Sequence, residues 1–336
     1  MSLEAKATTM LPELETELRR QVARLHAPRT EPFFNMLAYH MGWMPDGSST
    51  PTGKRIRPLI VLLVTEACGA QWLRAVSAAA AVELVHNFSL VHDDIEDHSP
   101  ARRGRPTVWQ LHGVPMAINA GDALFAISNQ SILDAISNND PEIVVRAATC
   151  LHSACLALTA GQFLDMSYEK RLDLTVDDYW PMVEGKTAAL ISAAAEIGAI
   201  LAGAKEETVR LYGIFGRKLG LAFQVLDDIL GIWGDESKTG KSAASDLVDG
   251  KRSLPVLFGL GNRAEFARRW VASPIRADET PAVAELLKVE GAYAYSVEQA
   301  EILTGAALEA LHSAQPLAGD QGALMELAQK LLTRPS

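Results

Sequence analysis

Apolar positions along this 336-residue chain recur at intervals of three and four, and no stretch alternates apolar and polar residues over a β-branched run. That period predicts helices and no sheet. Long helices are predicted over about 72–97, 115–136, 141–171, 177–203 and 207–233, with shorter ones on either side. Start signals agree with several of these bounds. Asp140-Pro141-Glu142 reads as cap, first-turn proline and first-turn acid, and Thr175 stands just before Asp177 and Asp178. Breaks rich in Gly, Ser or Pro fall near 45–53, 98–106 and 234–250, yet none divides the chain into halves of different composition. One all-α domain over residues 1–336, a large helical bundle, is therefore expected.

Composition narrows what such a bundle does. Hydrophobic residues make up 48% of the chain, ample for a large core. Lys and Arg total 31 against 41 Asp and Glu, a net charge of -10, so the surface as a whole does not attract nucleic acid or anionic membrane. Any anion must be bound locally. Cys68, Cys150 and Cys155 are odd in number and lack metal-ligand spacing, which fits reduced thiols and a cytoplasmic protein. The opening MSLEAKATTM lacks the pattern of a signal peptide. The most membrane-like run, Thr187–Ala204, contains Glu196 and is mostly small residues. It suits a buried, close-packed helix, and an integral membrane protein is not expected.

The chemistry concentrates at Leu90–Thr107, LVHDDIEDHSPARRGRPT. On a helix Asp93 and Asp97 share one face, Asp94 stands beside Asp93 and Glu96 turns away. Oxygen-only ligands favour Mg2+ over zinc, and Mg2+ is commonly held by one or two carboxylates plus substrate phosphates. Acids at a helix C-terminus also oppose the macrodipole and need compensation. A second acidic pair, Asp227-Asp228, lies in another long apolar helix. Two such helix ends facing one another would cage divalent ions around a polyphosphate. Arg102 and Arg103 follow the first pair, while Lys54, Arg55, Arg57, Lys186, Lys241 and Lys251 add cations near glycines or helix ends.

Eight motifs, in order, resemble the trans-isoprenyl diphosphate synthases, or polyprenyl synthetases. They are GKRIRP from Gly53, ELVHNFSLVHDDIED, RRGRPT, AINAGDAL at 117–124, GQFLD at 161–165, GKTAAL from Gly185 with FQVLDD from Phe223, and TGKSAASDLVDGKRSLP from Thr239. The resemblance implies an isoprenoid synthase-like helical fold around a central catalytic cavity, usually a homodimer, with three Mg2+ ions when substrate is bound. It implies head-to-tail condensation of isopentenyl diphosphate with an allylic diphosphate, releasing pyrophosphate. Asp93, Asp97 and Asp227 would hold the metal, supported by Asp94 and Asp228. Arg102, Lys186 and Lys241 would grip the allylic diphosphate, with Thr187 and Gln224 near the reacting carbon. Lys54, Arg57, His86 and Arg103 match the isopentenyl diphosphate site, and Lys251 joins the substrate-binding cations.

Phe88 and Ser89, five and four residues before Asp93, lie on the path of the growing tail. A large residue followed by a small one, with an uninterrupted DDIED, resembles synthases that stop at geranylgeranyl diphosphate (C20). A farnesyl (C15) or longer-chain synthase, or a catalytically weak subunit of a heteromeric synthase, are the alternatives. Gln162 and Asp165 fit either a metal-water shell or a helix–helix clamp. His92 and His98 match no ligand position of the family. In one respect the chain departs from the family: the third Asp of the second motif is Gly231, a loss for which Asp235 could compensate through water. A His-Asp phosphohydrolase would not need the second acidic pair, and a terpene cyclase would not keep an isopentenyl diphosphate site.

Overall fold

The computed structural model describes residues 1–43, 53–234, 244–314 and 321–332. Helices follow one another as α1 (Leu3–Val22), α2 (Glu31–Met41), α3 (Ile56–Ala67), α4 (Val76–Glu96), α5 (Val108–His112), α6 (Val114–Asp134), α7 (Pro141–Tyr168), α8 (Val176–Val183), α9 (Ala189–Leu201) and α10 (Glu206–Trp233). After these come α11 (Ser245–Val248), α12 (Leu254–Gly261), α13 (Glu265–Ala272), α14 (Thr280–Val289), α15 (Ala292–Ser313) and α16 (Gly322–Leu332). The all-helical expectation holds, and the cap signals are met. The Glu142 N–H donates to Asp140 Oδ1 at 2.9 Å, and Thr175 forms a capping box with Asp178.

Two local features depart from the expected pattern. A hairpin of two-residue strands, β1 (Ala101–Arg102) and β2 (Arg105–Pro106), follows α4. Strands this short leave no period-two signature. Its turn is Arg103-Gly104, both at positive φ (52° and 74°), as a two-residue hairpin turn of type I′ requires. The second departure interrupts the helix expected over 177–203. Glu184–Ala188 forms a π-helical turn in which the Ala189 N–H donates to the Glu184 carbonyl, five residues back.

The chain falls into two compact units. One comprises chiefly Met1–His152 and Ala194–Val209, the other chiefly Ser153–Ala193 and Arg210–Gln315. In the first unit α4 packs along α6, and Ala78 to Leu84 of α4 are all buried. A helix that is apolar all round belongs inside, and small side chains let its neighbours come close. In the second unit Tyr179 and Val183 of α8, Leu221 and Val225 of α10, and Leu254 and Leu257 of α12 share one buried cluster.

The membrane-like run expected at 187–204 comprises the π turn, α9 and three residues beyond, and α9, only 13 residues long, is largely buried. Among the described residues α7 is the helix long and apolar enough to cross a membrane. Length and apolar character alone also describe the core helix of a soluble protein.

Candidate active site

Each acidic pair divides its labour in the same way. In α4, Asp93 is half-buried and Asp94 is buried. In α10, Asp227 is half-buried and Asp228 is buried. Consecutive helical residues point about 100° apart, so one carboxylate of each pair reaches the protein edge while its neighbour turns inward. Asp97 ends the first motif, exposed at the C-cap of α4. Among the described residues no three His, Cys, Asp or Glu side chains gather into a metal-holding group. An all-oxygen donor set built from separate carboxylates suits a hard divalent ion that takes its remaining ligands from phosphate and water.

The buried members are held differently. Arg102 Nε donates to Asp94 Oδ1 at 2.7 Å, and its Nη2 lies 3.7 Å from Asp93 Oδ2. Burial pushes the Asp94 carboxyl up to about 6, although the adjacent guanidinium favours the charged form. Among the described residues Asp228 forms no ion pair. It accepts from Tyr179 OH at 2.8 Å, the Leu254 N–H at 3.0 Å and Gln224 Nε2 at 2.9 Å. Burial pushes it to about 7 against those three donors.

Gln224 in turn accepts from Thr187 Oγ1 at 2.9 Å, so Thr187, Gln224 and Asp228 form one hydrogen-bonded row. Thr187 stands on the π turn beside Lys186, whose ammonium pairs with Asp165. Here GQFLD acts as a clamp. A Cβ on Gly161 would fall 2.1 Å from the Lys186 backbone nitrogen, and one on Gly185 would fall 2.5 Å from the Ala157 carbonyl oxygen. Glycine at both positions lets α7 touch the π turn and carries Lys186 to Asp165. Gln162 has interactions of its own within the structure.

The expected isopentenyl diphosphate residues sit together in the first unit. Arg57 Nη1 lies 3.4 Å from His86 Nε2. Burial and the charges of Arg57, Arg103 and Arg102 hold His86 well below the usual imidazole range, so it is neutral. A Cβ on Gly53 would come 3.0 Å from Arg103 Nη2, which brings the GKRIRP segment against the hairpin turn. Lys54 is exposed beside it.

Arg55, counted from sequence among the cations suited to phosphate, instead pairs with carboxylates of the protein. It is buried in a left-handed conformation (φ 47°), with Nη1 2.6 Å from Glu83 Oε1 and Nη2 3.4 Å from Glu15 Oε2. Buried Glu83, four residues before Asn87 and three before His86, is the counter-charge that a helical reading of α4 could have offered.

Phe88 is buried, and its ring centroid lies 5.1 Å from that of Phe125 on α6 and 5.8 Å from that of His92. Sequence alone did not single out Phe125. The Ser89 hydroxyl donates to the His86 carbonyl at 2.8 Å, and Val85 and Leu84 below are fully buried. His92 Nε2 lies 3.1 Å from the Ile118 carbonyl oxygen, and His98 packs edge-on to Trp109.

Asp235 and Lys241 lie outside the described residues. The space at Gly231 is taken by another carboxylate. A Cβ there would fall 2.1 Å from Oδ2 of Asp246, which is buried and paired with Lys251 Nζ at 3.1 Å. Asp246 thus brings a carboxylate to the position where the family's third Asp would begin.

Comparison with known proteins agrees with the motifs. The polyprenyl synthetase family model matches residues 45–289. The chain is 41% identical over 290 residues to a (2E,6E)-farnesyl diphosphate synthase of Mycobacterium tuberculosis, covering 83% of this chain and 79% of that one. It is 42% identical over 269 residues to a geranylgeranyl diphosphate synthase of the same organism, covering 78% and 76%. The crystal structure of a geranylgeranyl pyrophosphate synthetase from Pyrococcus horikoshii superposes with a TM-score of 0.87 at 33% identity, over 99% of both chains.

Proposed function

Because the chain belongs to the polyprenyl synthetase family, we propose that it is a prenyltransferase joining isopentenyl diphosphate head to tail to an allylic diphosphate. The carbon–oxygen bond of the allylic diphosphate breaks and pyrophosphate leaves. A new bond joins that carbon to the terminal alkene carbon of isopentenyl diphosphate, which then loses a proton. No protein base is assigned, since the released pyrophosphate is basic enough to take that proton.

The observation that carries this reading is the repeated acidic pair, each with one carboxylate at the protein edge and its neighbour anchored within. Asp93, Asp97 and Asp227 would hold Mg2+, three ions with substrate bound, and the metal would supply positive charge to the departing oxygens. The chain's own residues do the rest. Lys186 and Lys241 bind the allylic diphosphate, and Arg102, already positioned by Asp94, extends its guanidinium to the same group. The Thr187 hydroxyl and Gln224, oriented by Asp228, face the carbon that becomes positive. Lys54, Arg57, His86 and Arg103 bind the second diphosphate without metal, and Lys251, steadied by Asp246, adds charge.

We assign geranylgeranyl diphosphate as the product. The relatives quoted above make C15 and C20 products at nearly equal identity. The decision therefore rests on Phe88, buried against Phe125, with the small Ser89 beside it. A homodimer in the cytoplasm completes the proposal. Met116, Ile118 and Leu133 on α6 are exposed apolar residues that a second copy would cover, and the three cysteines are free thiols.

Purified protein with Mg2+, isopentenyl diphosphate and each allylic primer, with products separated by chain length, tests the reading. Pyrophosphate release from a single prenyl substrate would instead indicate a hydrolase. Phe88→Ala should lengthen the product beyond C20 at a stability cost of about 3–5 kcal/mol, and Ser89→Phe should shorten it towards C15. Unchanged length in both would move the floor to Val85 and Leu84.

A further inference from the structure

The proposed site leaves one nearby group unused. His40, in the last turn of α2, is 8% exposed, and its Nε2 is buried without a hydrogen-bond partner. It has company. Among the described residues seven buried side-chain polar atoms lack a partner, and five belong to this one part of the first unit: His40 Nε2, Arg55 Nε, Arg57 Nε, Arg105 Nε and Asn87 Oδ1. Folded proteins satisfy nearly all such atoms, so a local excess marks a binding surface more readily than a packing core. Three of the five are guanidinium N–H donors, and an imidazole with its proton on Nε2 is a fourth. Buried donors that outnumber acceptors suit a ligand rich in acceptor oxygens.

The local structure keeps His40 among those donors. The Arg105 Nη1 donates to the Tyr39 carbonyl at 3.0 Å, its guanidinium lies 4.6 Å from the Tyr39 ring centroid, and Tyr39 OH donates to the Pro106 carbonyl at 2.8 Å. The hairpin that presents Arg102 and Arg103 is thus fastened to α2 one residue before His40. Arg103, Arg102 and Arg105 from the hairpin, Arg55 from the residue before α3, and His86 from α4 are the charged and titratable groups that act on it. Burial first, and the arginines second, depress the imidazole to about 3. A neutral ring carries one N–H, and with that proton on Nε2 it would be a donor for which the described residues supply no acceptor.

We propose that His40 is a further ligand of the isopentenyl diphosphate, its Nε2–H donating to a phosphate oxygen beside Arg57, His86 and Arg103. This rests on the function proposed above and adds to it a residue from α2, which none of the recognised motifs contains.

Binding of isopentenyl diphosphate in EDTA, by calorimetry on the full chain, isolates this site from metal-dependent binding. His40→Leu should weaken binding about 10- to 100-fold, the effect of losing one hydrogen bond to a charged group. KM for isopentenyl diphosphate should rise in step, with KM for the allylic diphosphate and kcat within about twofold of wild type. Glutamine places its amide nitrogen near the position of Nε2 and asparagine near that of Nδ1. His40→Gln should therefore retain binding and His40→Asn should lose it, a pair that stays informative if the leucine variant does not fold. Wild-type affinity in His40→Leu or His40→Asn, or equal damage to both substrates' KM, would overturn the role of His40 alone. A wild type that binds no isopentenyl diphosphate would overturn the proposed function and this inference with it.

Discussion

The acidic ends of α4 and α10 present the same outward arrangement on different supports. At α4 the buried partner, Asp94, is neutralised by a cation, Arg102, carried in from the hairpin eight residues on. At α10 the buried partner, Asp228, is held by a phenol, an amide and a backbone N–H, with the Leu254 amide marking the start of α12. An ion pair leaves a carboxylate's charge in place. Burial is the main reason both stand above the usual carboxylate range, Asp228 at about 7 and Asp94 at about 6; a guanidinium opposes it at Asp94 and neutral donors oppose it at Asp228. Equivalent outer carboxylates therefore rest on two supports that both titrate near neutrality, one countered by a cation and the other by neutral donors.

If the outer carboxylates are equivalent, Asp93→Ala and Asp227→Ala should each lower the condensation rate by about 10^2–10^3-fold or more while leaving thermal stability unchanged or raised. Near-normal turnover in either variant would break the equivalence, and with it the two-site reading.

The supports are separated by pH. With Asp228 at about 7 in the folded chain against about 3.9 unfolded, the folded state binds its proton more tightly. Its contribution to stability is fully present below about pH 4 and is lost as pH rises through 7, on the order of 4 kcal/mol at most. Metal-free wild type should thus lose stability between pH 5 and 8 more steeply than Asp228→Asn. Asp94→Asn should flatten the slope less, because Asp94 rises only to about 6. Thermal melts across that range decide it, and parallel slopes in wild type and Asp228→Asn would remove the distinction.

The smallest expected effect sharpens the comparison at Gly231. Because the Asp246 carboxylate already occupies the space beside it, Gly231→Asp should cost about 1–3 kcal/mol and raise the Mg2+ concentration needed for half-maximal rate. A variant as stable as wild type, with tighter Mg2+ dependence, would show that Asp246 does not stand in for the missing residue.

Much of this was legible in the chain. Helical period and caps located α4, α6, α7 and α10, because burial of one face and satisfaction of terminal N–H groups are local demands written at fixed spacing; the long helices α1 and α15 received no bounds of their own. Spacing also separated Asp93 from Asp94. The support of each pair was not legible: Tyr179 and the Leu254 N–H are 49 and 26 residues from Asp228, and no periodicity links them. The same holds for Phe125 against Phe88 and for Asp246 against Gly231. His40 stayed hidden for a different reason, since a single histidine in a helix looks the same whether or not its nitrogen finds a partner.

The π turn at Glu184–Ala188 has a consequence for how this part of the chain is aligned and altered. A π turn holds one residue more than the α-helix it interrupts, so α8 and α9 are out of phase with one another along what reads as one continuous segment. Lys186 and Thr187 both stand on this bulge. Deleting a single residue from 184–188 would restore an ordinary helix and shift the residues beyond it by about 100° relative to α8, breaking the packing of the largely buried α9. That stretch should therefore reject any change in length.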